Sequence, residues 1–594
     1  MQKAYTLKIL LTSSLIVSFL CSCGKQVTIK RENFPLPEDV EIVQNIEPGV
    51  YTKDLVMVTG HGPKTFNSLI IDENSSATAV MYLFSGLVNY DPTNQSFTPA
   101  LAKSWEISAD NLSYKLNLRK GVKWSDGEPF TADDVIFTFD AIFDERYPNR
   151  MKSDLIIDGK PLGYRKVDDY TVEFYTSKPY APFINYIGDV YILPKHKLYE
   201  SYKDGSFQKQ WTLETAINTP AEIVGTGPYC IKEFLPAERI VYKPNPHYWK
   251  ADINGKRLPY IDALVYKYVS DFNTELALFS TGQTAVSALP ARDLPWVSKA
   301  AAKYNFSIFE RGPSALIAFF WFNMKPGKNE KGEYYVEPYK LKWFQDKRFR
   351  QAILHGVNRE GIIQATMLGH GEPLNSVISP ANKKWYNPNV LKYDYDPQKA
   401  RTLLEEIGFK INDKGMFEDQ FGHPIEFDFL IFEGANNALI TGIQENLKNL
   451  GVIVNLTYMD FATVIDKTAN TFRYECSIMG MGSAGSDTGD PAGSKAIYKS
   501  NGRLHLWDPE QKTPATEWEA EIDKLFDLQE QEMDEAKRVA LVYKIQEIFS
   551  EELPLLFLIT PEVFVGISNG WKNIKLASMS IPLWNIDELW RKNK

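Results

Sequence analysis

The stretch LSYKLNLRKGVKWSDGEPFTADDVIFTFD, residues 112–140, places a strand pattern directly before a helix pattern. In its first part, YKLNL, apolar and polar residues alternate, and this period of two is typical of a half-buried strand. Thr131 is a favoured type of helix N-cap, and Asp134 three residues later completes a pattern like a capping box. Apolar residues then recur at helical spacing. The stretch therefore predicts a strand, a turn and an amphipathic helix.

The same kinds of element recur in the second half of the chain. In YDPQKARTLLEEIGF, residues 395–409, Asp396 and Pro397 mark the start of a helix and Gly408 marks its end. Residues 425–459 then follow as strand IEFDFLIF, helix ALITGIQENLKNLG and strand VIVNLTYM. A strand–helix–strand unit of this kind is typical of α/β proteins.

The first 22 residues have the layout of an export signal. Lys3 and Lys8 are their only charges, and the run from residue 9 to residue 20 is mostly apolar. A membrane-spanning helix needs about 20 apolar residues, so this run is too short for one. We therefore predict that residues 1–22 are a signal peptide.

The end of the apolar run, LCSC, resembles the lipobox of bacterial lipoproteins. Leu20 and Ser22 stand in the positions that guide cleavage before Cys23. The resemblance implies that Cys23 is lipidated, with two or more acyl chains for stable anchoring. Residues 24–50 are polar and contain prolines, so residues 23–50 are predicted to form a lipid anchor and tether. The alternative is an ordinary cleaved signal.

Composition and charge exclude one broad class of partner. The net charge is −9, and removal of Lys3 and Lys8 with the signal takes it to −11. Nucleic-acid binding requires a basic surface stripe, so no nucleic-acid partner is expected. Hydrophobic residues make up 44% of the chain, which is ample for a large core. Beyond the N-terminal pair only Cys230 and Cys476 remain, and we expect two separate, buried thiols.

The chain contains few matches to known catalytic and metal-binding sequence patterns. The seven histidines are scattered, and neither His-x-x-x-His nor, after Cys23, Cys-x-x-Cys occurs to support a zinc site. Ser206 and Lys209 match the Ser-x-x-Lys pattern of acyl enzymes, and Ser483 stands in an incomplete nucleophile elbow. Matches this short arise often by chance. We therefore predict no metal, no cofactor and no enzymatic activity.

The stretch GSAGSDTGDP, residues 482–491, suits neither a helix nor a strand, although it follows a predicted buried strand. It contains three glycines and two carboxylates, Asp487 and Asp490. One interpretation is a capped turn, because Asp and Gly are common turn residues. The other is a loop whose backbone and one carboxylate approach a small ligand.

Five long segments of the chain together carry a resemblance to a known family. In order, they are FSGLVNYDPTNQSFTPALAKSWEISADNLSYKLNLRKGVKWSDGEPFTADDVIFTFD, GTGPYCIKEFLPAERIVYKPNPHYW, FQDKRFRQAILHGVNREGIIQATMLGHGEPL, YDPQKARTLLEEIGF and RVALVYKIQEIFSEELPLL. With these segments the chain resembles family 5 of the extracellular solute-binding proteins, the peptide- and nickel-type binding proteins of ABC importers. The resemblance extends over about residues 55–590.

This resemblance implies the two-lobed periplasmic-binding-protein fold of type II, cluster C. Two α/β lobes are joined by crossing strands, and an extra α/β domain is inserted in the first lobe; the lobes close on the ligand by a hinge motion. By similarity, residues 50–75, 221–312 and 552–590 form the first lobe, residues 76–220 the inserted domain and residues 313–551 the second lobe.

Two smaller features of the sequence also lead to structural predictions. Residues 325–344 are longer than the family's usual connection, and their charges and glycines predict a surface hairpin. Gly225 and Gly227 in GTGPY are predicted to serve a tight turn.

The resemblance also implies a ligand site. In dipeptide-binding members, the first Asp of a Gly-Asp-x-Gly-Asp-Pro loop pairs with the ammonium group of the peptide. Here SDTGDP puts Asp487 in that position, and a carboxylate in a dry cleft binds an ammonium group better than it would in water. The family often has a Trp shortly before this Asp, where this chain has Met481 and Gly482. The implied ligand-binding residues are Asp487, Met481 and Gly482, with a plain turn cap as the alternative for Asp487.

The function implied is capture of di- or oligopeptides and their delivery to the permease subunits of an ABC importer that has a cytoplasmic ATPase. Within the family, the alternatives are a nickel chelate, haem, an oligosaccharide or another small solute. Rivals from other classes are a secreted hydrolase or an adhesin on the same fold. We expect a monomer, exported and held on a bacterial membrane by the lipid on Cys23, facing the periplasm or the cell exterior.

Overall fold

The computed structural model describes residues 31–32, 34–482, 489–502 and 504–592, and it places their apolar side chains mainly in two large cores. One core gathers side chains between Ile46 and Val286 and from Val565 to Trp590. The other lies between Ile317 and Ile559. The mixed α/β chain is therefore two-lobed. Because the first core runs without a break through residues 76–220, the limits of the inserted domain stay a prediction.

A four-stranded sheet organises the first lobe. Its first two pairs of neighbouring strands are antiparallel, and its third pair is parallel. The strand at the end of the sheet comes from the start of the chain, whereas later residues form the other three strands. In spatial order the strands are Tyr229–Leu235, Arg239–Pro244, Ile261–Tyr268 and Thr52–Thr59.

Gly225 and Gly227 allow two chain segments to touch, and they do not form the predicted tight turn. A Cβ atom on Gly225 would lie 1.8 Å from the carbonyl oxygen of Leu83. The backbone N–H of Gly227 donates to the same oxygen at 2.9 Å. Neither glycine has a positive φ. The glycines are needed because two backbone segments pack closely here. The sequence alone does not distinguish this requirement for glycine from the requirement of a tight turn.

Residues 112–140 fold as their sequence predicts. The strand Ser113–Leu118 lies between Ala102–Ile107 and Thr171–Tyr175 in an antiparallel sheet that Gly163–Asp168 completes. The helix that follows is Ala132–Phe143, and Thr131 and Asp134 form a complete capping box at its start. This sheet and helix pack into the first core.

Two antiparallel strands carry the chain between the lobes. Phe306–Pro313 pairs with Ile559–Ser568. The chain enters the sheet of the second lobe through Leu316–Phe322 and leaves it through Leu556–Phe557. Ser314 lies at the crossing, where its backbone N–H donates to the carbonyl oxygen of Pro561 at 2.8 Å. Paired crossing strands of this kind provide an axis about which the lobes can turn.

The second lobe contains a five-stranded sheet, and it confirms the predicted strand–helix–strand unit. The helix Asn437–Leu450 connects two parallel strands, and the predicted helix over residues 397–406 begins with Asp396 as its cap. In spatial order the strands are Ile453–Met459, Glu426–Phe432, Cys476–Gly482, Leu316–Phe322 and Leu556–Phe557. The first three of these strands are parallel to one another, and the other pairs are antiparallel.

The remaining elements surround these sheets. The α-helices are Asn74–Val80, Ala132–Phe143, Met151–Asp154, Phe183–Gly188, Lys195–Asp204, Leu213–Asn218, Phe272–Ser280, Leu294–Tyr304, Pro338–Gln345, Lys347–His355, Arg359–Met367, Pro397–Glu406, Asn437–Leu450, Phe461–Ile465, Lys495–Tyr498, Glu517–Gln531 and Glu535–Glu552. The other strands are Glu41–Ile42, Val88–Asp91, Ser96–Pro99, Ile156–Ile157, Lys160–Pro161, Lys250–Ala251, Val286–Leu289, Gly371–Pro373, Lys410–Ile411, Phe417–Glu418, Trp571–Lys572 and Trp590–Arg591.

The described part of the predicted tether is packed on the first lobe. Arg31 donates to the carboxylate of Asp262 at 3.2 Å, and the strand Glu41–Ile42 pairs with Lys250–Ala251. The described residues between 31 and 50 therefore dock on the first lobe through hydrogen bonds. That residues 23–50 act as a lipid anchor and tether stays a prediction. The predicted signal peptide and Cys23 lie outside the described residues.

The predicted surface hairpin over residues 325–344 covers only the first half of that stretch. Lys328 and Tyr334 form an antiparallel bridge around an exposed turn. The second half instead begins the helix Pro338–Gln345, which buries Trp343 and Phe344. Proline is well suited to the first turn of a helix, which explains the change of structure at residue 338.

Cys230 and Cys476 are unpaired, as predicted. Cys476 is buried, whereas Cys230 is half-buried. Among the helices that the structure describes, none combines the length and the apolar character that crossing a membrane requires.

Candidate functional site

The strand Cys476–Gly482 ends beside the crossing between the lobes. Gly482 lies opposite Leu316 in antiparallel register, and Leu316 is two residues beyond Ser314 at the crossing. Because the strands Glu426–Phe432 and Ile453–Met459 run parallel to Cys476–Gly482, their carboxyl ends lie on the same edge of the sheet. Ligands of open α/β sheets bind outside the carboxyl ends of the strands. We call this edge, at Phe432, Met459 and Gly482, the cleft edge.

The structure brings two of the three predicted ligand-binding residues to the cleft edge. Met481 is half-buried there and Gly482 is exposed. Among the residues that the structure describes, no atom would lie within 4 Å of a Cβ atom on Gly482. Asp487 lies outside the described residues, which stop at Gly482 and resume at Gly489. Its contact with a ligand stays a prediction.

Gly489, where the described chain resumes after the loop, is held in a conformation that suits only glycine. Its φ is +71°, in the left-handed region. A Cβ atom there would lie 2.5 Å from Asn382 Nδ2 and 2.5 Å from Met579 Cε. The same Asn382 Nδ2 donates to the carbonyl oxygen of Gly489 at 2.7 Å. The chain after the loop is therefore fixed by both shape and hydrogen bonding.

Asp490 has a structural role at the same point. Both of its carboxylate oxygens accept hydrogen bonds from Arg538, at 2.8 and 2.6 Å, and the two side chains are only 11% and 7% exposed. Asp490 also caps the short helix Pro491–Ser494 by accepting from the backbone N–H of Ala492 at 3.0 Å. Arg538 in turn donates to Gln529 and lies over the ring of Trp385. Asp490 therefore fixes the chain directly after the loop, through a buried ion pair and a helix cap.

The segment after the loop also touches the first lobe. Ala492 is fully buried and packs in the first core. Beside it, the backbone N–H of Ala181 donates to the Glu530 carbonyl oxygen at 2.7 Å, and Gln95 Nε2 donates to the Ala381 carbonyl oxygen at 2.8 Å. Ala181 and Gln95 belong to the predicted inserted domain. The predicted inserted domain is thus in contact with the second lobe close to the residues that follow the loop.

Burial at this contact disfavours charge. Desolvation raises the pKa of the Glu530 carboxyl, although Lys495 and Lys499 offset part of the effect. Desolvation, with a contribution from Asp490, raises the pKa of the Tyr90 hydroxyl to about 12, so that phenol stays neutral at physiological pH. Burial at this contact therefore favours the protonated form of the Glu530 carboxyl over the ionised form.

The catalytic and metal-binding patterns gain no support from the tertiary structure. The Ser206 hydroxyl donates to Asp204 at 2.6 Å and not to Lys209. Ser483 lies outside the described residues. In the ranges that the structure describes, His, Cys, Asp and Glu side chains form no group of three that could hold a metal ion.

Asn382 and Arg538 support the loop, and sequence reasoning missed both. Arg538 lies 48 residues from Asp490 and belongs to a helix whose pattern is simply amphipathic. Asn382 lies in an irregular segment far from the loop in sequence. A single sequence offers no local signal for either contact, since each depends on how the second lobe folds back on itself.

Comparison with known proteins identifies the family. The model of the bacterial extracellular solute-binding proteins, family 5 Middle, matches residues 96–502, which is more than half of the chain. The chain belongs to family 5 of the bacterial extracellular solute-binding proteins. This family consists of solute-binding transport proteins and not of enzymes. The predicted family is confirmed.

Curated relatives match this family 5 protein over most of their length. It is 28% identical over 517 residues to the "Probable ABC transporter-binding protein" of Deinococcus radiodurans, covering 83% of this chain and 84% of that one. It is 26% identical over 545 residues to the "Dipeptide-binding protein" of Escherichia coli, covering 88% of this chain and 92% of that one.

Solved structures confirm the two-lobed periplasmic-binding-protein fold of this family 5 protein. The oligopeptide-binding protein AppA of Bacillus subtilis, in complex with a nonapeptide, has a TM-score of 0.68 and 23% identity, covering 92% of this chain and 100% of that one. The periplasmic binding protein MelB of Agrobacterium fabrum, in complex with stachyose, has a TM-score of 0.72 and 21% identity, covering 94% and 88%. At these identities the likeness shows the fold alone.

Proposed function

We propose that this family 5 protein captures di- or oligopeptides outside the cytoplasm and delivers them to the permease subunits of an ABC importer. The observation that supports a peptide ligand best is the stretch 482–491. Its small-residue, carboxylate-bearing loop starts at the cleft edge, and its far side is held by Asn382 and Arg538. The similarity to a dipeptide-binding protein over 88% of the chain supports the same ligand class.

Binding is proposed to couple to closure about the crossing strands. The protein would work as a monomer, with residues 50–75, 221–312 and 552–590 as the first lobe, residues 76–220 as the inserted domain and residues 313–551 as the second lobe. Within this arrangement Asp487 would bind the peptide ammonium group, and Met481 and Gly482 would line the adjacent wall. A ligand held on this loop would stabilise the contact of Ala492 with the first lobe, because Ala492 follows the loop directly in the chain.

The experiment that tests the function is identification of the ligand that copurifies, by native mass spectrometry, followed by calorimetry with synthetic tetrapeptides. We expect peptide masses, and after their removal, binding of free tetrapeptides. At a hundredfold excess over Kd, the ligand should stabilise the fold by about 2.7 kcal/mol and raise Tm, and X-ray scattering should show compaction. Copurified haem, nickel chelate or oligosaccharide, together with no peptide binding, would contradict the proposal.

We also propose that Cys23 carries a lipid that holds the protein on the membrane, which the LCSC ending of the apolar run supports. A Cys23→Ala variant should appear in the soluble fraction and lose palmitate labelling. Cys21→Ala is the matched control, and it should stay in the membrane fraction. A Cys23→Ala protein that remains membrane-bound and labelled would show that another residue carries the lipid.

A further inference from the structure

Five large apolar side chains stand together at the cleft edge. We call Phe432, Met459, Phe461, Met479 and Met481 the apolar wall. Four of them are half-buried and pack on the second core, while Phe461 is 56% exposed. The Phe461 ring packs edge-on against Phe432 with centroids 5.7 Å apart. Such a group of incompletely covered apolar side chains is typical of a binding surface.

The strand register puts most of the wall on one face of the sheet. Phe432 and Met459 are direct partners in the parallel pair. Leu430 pairs with Ser477 in the next ladder, and Phe432 and Met479 each follow two residues later, so both lie on the same face of the sheet. Side chains two residues apart share a face, so Met481 lies on the same face as Met479. The wall therefore extends across three adjacent strands toward the start of the loop at Gly482.

We propose that the apolar wall binds apolar side chains of the peptide ligand and makes this receptor selective for peptides that carry them. The inference rests on the proposed peptide-binding function and adds the chemistry of the preferred side chains. Methionine is unbranched and polarizable, and it adapts to ligands of different shape. A wall with three methionines and two phenylalanines suits Phe, Leu or Met side chains in several positions.

The dimensions of the wall agree with a short peptide. Neighbouring strands are about 4.8 Å apart, so the distance from the strand of Met481 to the strand of Met459 is about 10 Å. An extended peptide advances about 3.3 Å per residue. A peptide that starts beside Gly482 and lies across the strand ends would therefore cover the wall with about three residues.

Phe421 provides a matched control for Phe461. It is also an exposed phenylalanine, at 75%, but it precedes the amino end of the strand Glu426–Phe432. It thus lies at the opposite edge of the same sheet from the cleft edge. A change from Phe to Ser at either position removes the same side chain from an exposed site, so the main difference between the two variants is their location.

Calorimetry with tetraalanine and four variants of it, each with one Phe at a different position, tests the proposal. At least one Phe peptide should bind the wild-type protein about tenfold to a hundredfold tighter than tetraalanine does, as expected for burial of a large apolar side chain. Phe461→Ser should reduce that preference at least threefold, and it should weaken the binding of tetraalanine less than it weakens the binding of the Phe peptide. Phe421→Ser should keep the full preference.

The possible outcomes distinguish the proposed specificity of the apolar wall from the proposed peptide-binding function. If tetraalanine and all four Phe peptides bind with affinities within twofold of one another, the apolar wall is not a specificity site, although the peptide function stands. A preference that survives Phe461→Ser, or is lost equally in Phe421→Ser, also overturns the assignment of the wall. If no peptide binds, the proposed function itself fails.

Discussion

An Asp490→Asn variant is expected to lose about 3–5 kcal/mol of the free energy of unfolding, because it leaves the buried Arg538 guanidinium without its counter-charge. The side chain keeps its size, and asparagine can still cap the helix Pro491–Ser494. The loss is therefore attributable to the ion pair. Urea unfolding followed by tryptophan fluorescence measures it, since Trp385 lies directly under Arg538.

Two controls separate the buried pair from electrostatics in general. Glu535→Gln breaks the exposed pair with Lys384, in which Glu535 is 70% exposed, and it should cost at most about 1 kcal/mol. Adding Arg538→Met to Asp490→Asn removes the unpaired charge and should recover part of the loss. A single Asp490→Asn variant as stable as the wild type, or a double variant with fully additive losses, would contradict the assigned role.

An Asp487→Asn variant is expected to bind peptides with a free amino terminus about thirtyfold more weakly or worse. The charged pair proposed in the closed cleft loses one partner, which typically costs 2–5 kcal/mol of binding. The variant keeps the shape of the side chain, so the loop retains its small residues and its support by Asn382 and Arg538. Calorimetry with one tetrapeptide, free and amino-terminally acetylated, is the measurement.

The controls for Asp487 test whether the effect is a specific ion pair. Acetylation of the peptide should mimic Asp487→Asn and add little when combined with it. Glu433→Gln removes an exposed charge at the same cleft edge and should change affinity by less than about threefold. If Asp487→Asn binds the free and acetylated peptides as the wild type does, Asp487 caps a turn. If Glu433→Gln weakens binding equally, the general acidity of the edge attracts the ligand.

Asp490→Asn and Asp487→Asn should therefore act on different properties, the first on stability and the second on affinity for the peptide. Asp490 is buried in an ion pair behind the loop, so its loss should reduce stability first and affinity indirectly. Asp487, as proposed, faces the ligand, so its loss should reduce affinity and leave the free energy of unfolding nearly unchanged. Measuring both properties for both variants separates support of the loop from recognition by the loop.

The sequence by itself determined the elements whose signals are local. The alternation in Ser113–Leu118, the capping box of Thr131 and Asp134, and the Pro397 start of the second-lobe helix all appear in the structure as predicted. These features depend on residues within one or two turns of each other, so a single sequence contains their full pattern. The family, and with it the two-lobed fold, also followed from long ordered segments.

Only the tertiary structure decided how distant segments meet. Gly225 and Gly227 resemble turn residues, and their requirement for close approach to Leu83 exists only once the chain has folded. Arg538 reaches Asp490 because a later helix packs behind the loop. Phe432, Met459 and Met479 look like ordinary core residues in sequence, because strand order, direction and register decide which apolar side chains stay half-open at the cleft edge. These are non-local pairings, and no local residue pattern specifies them.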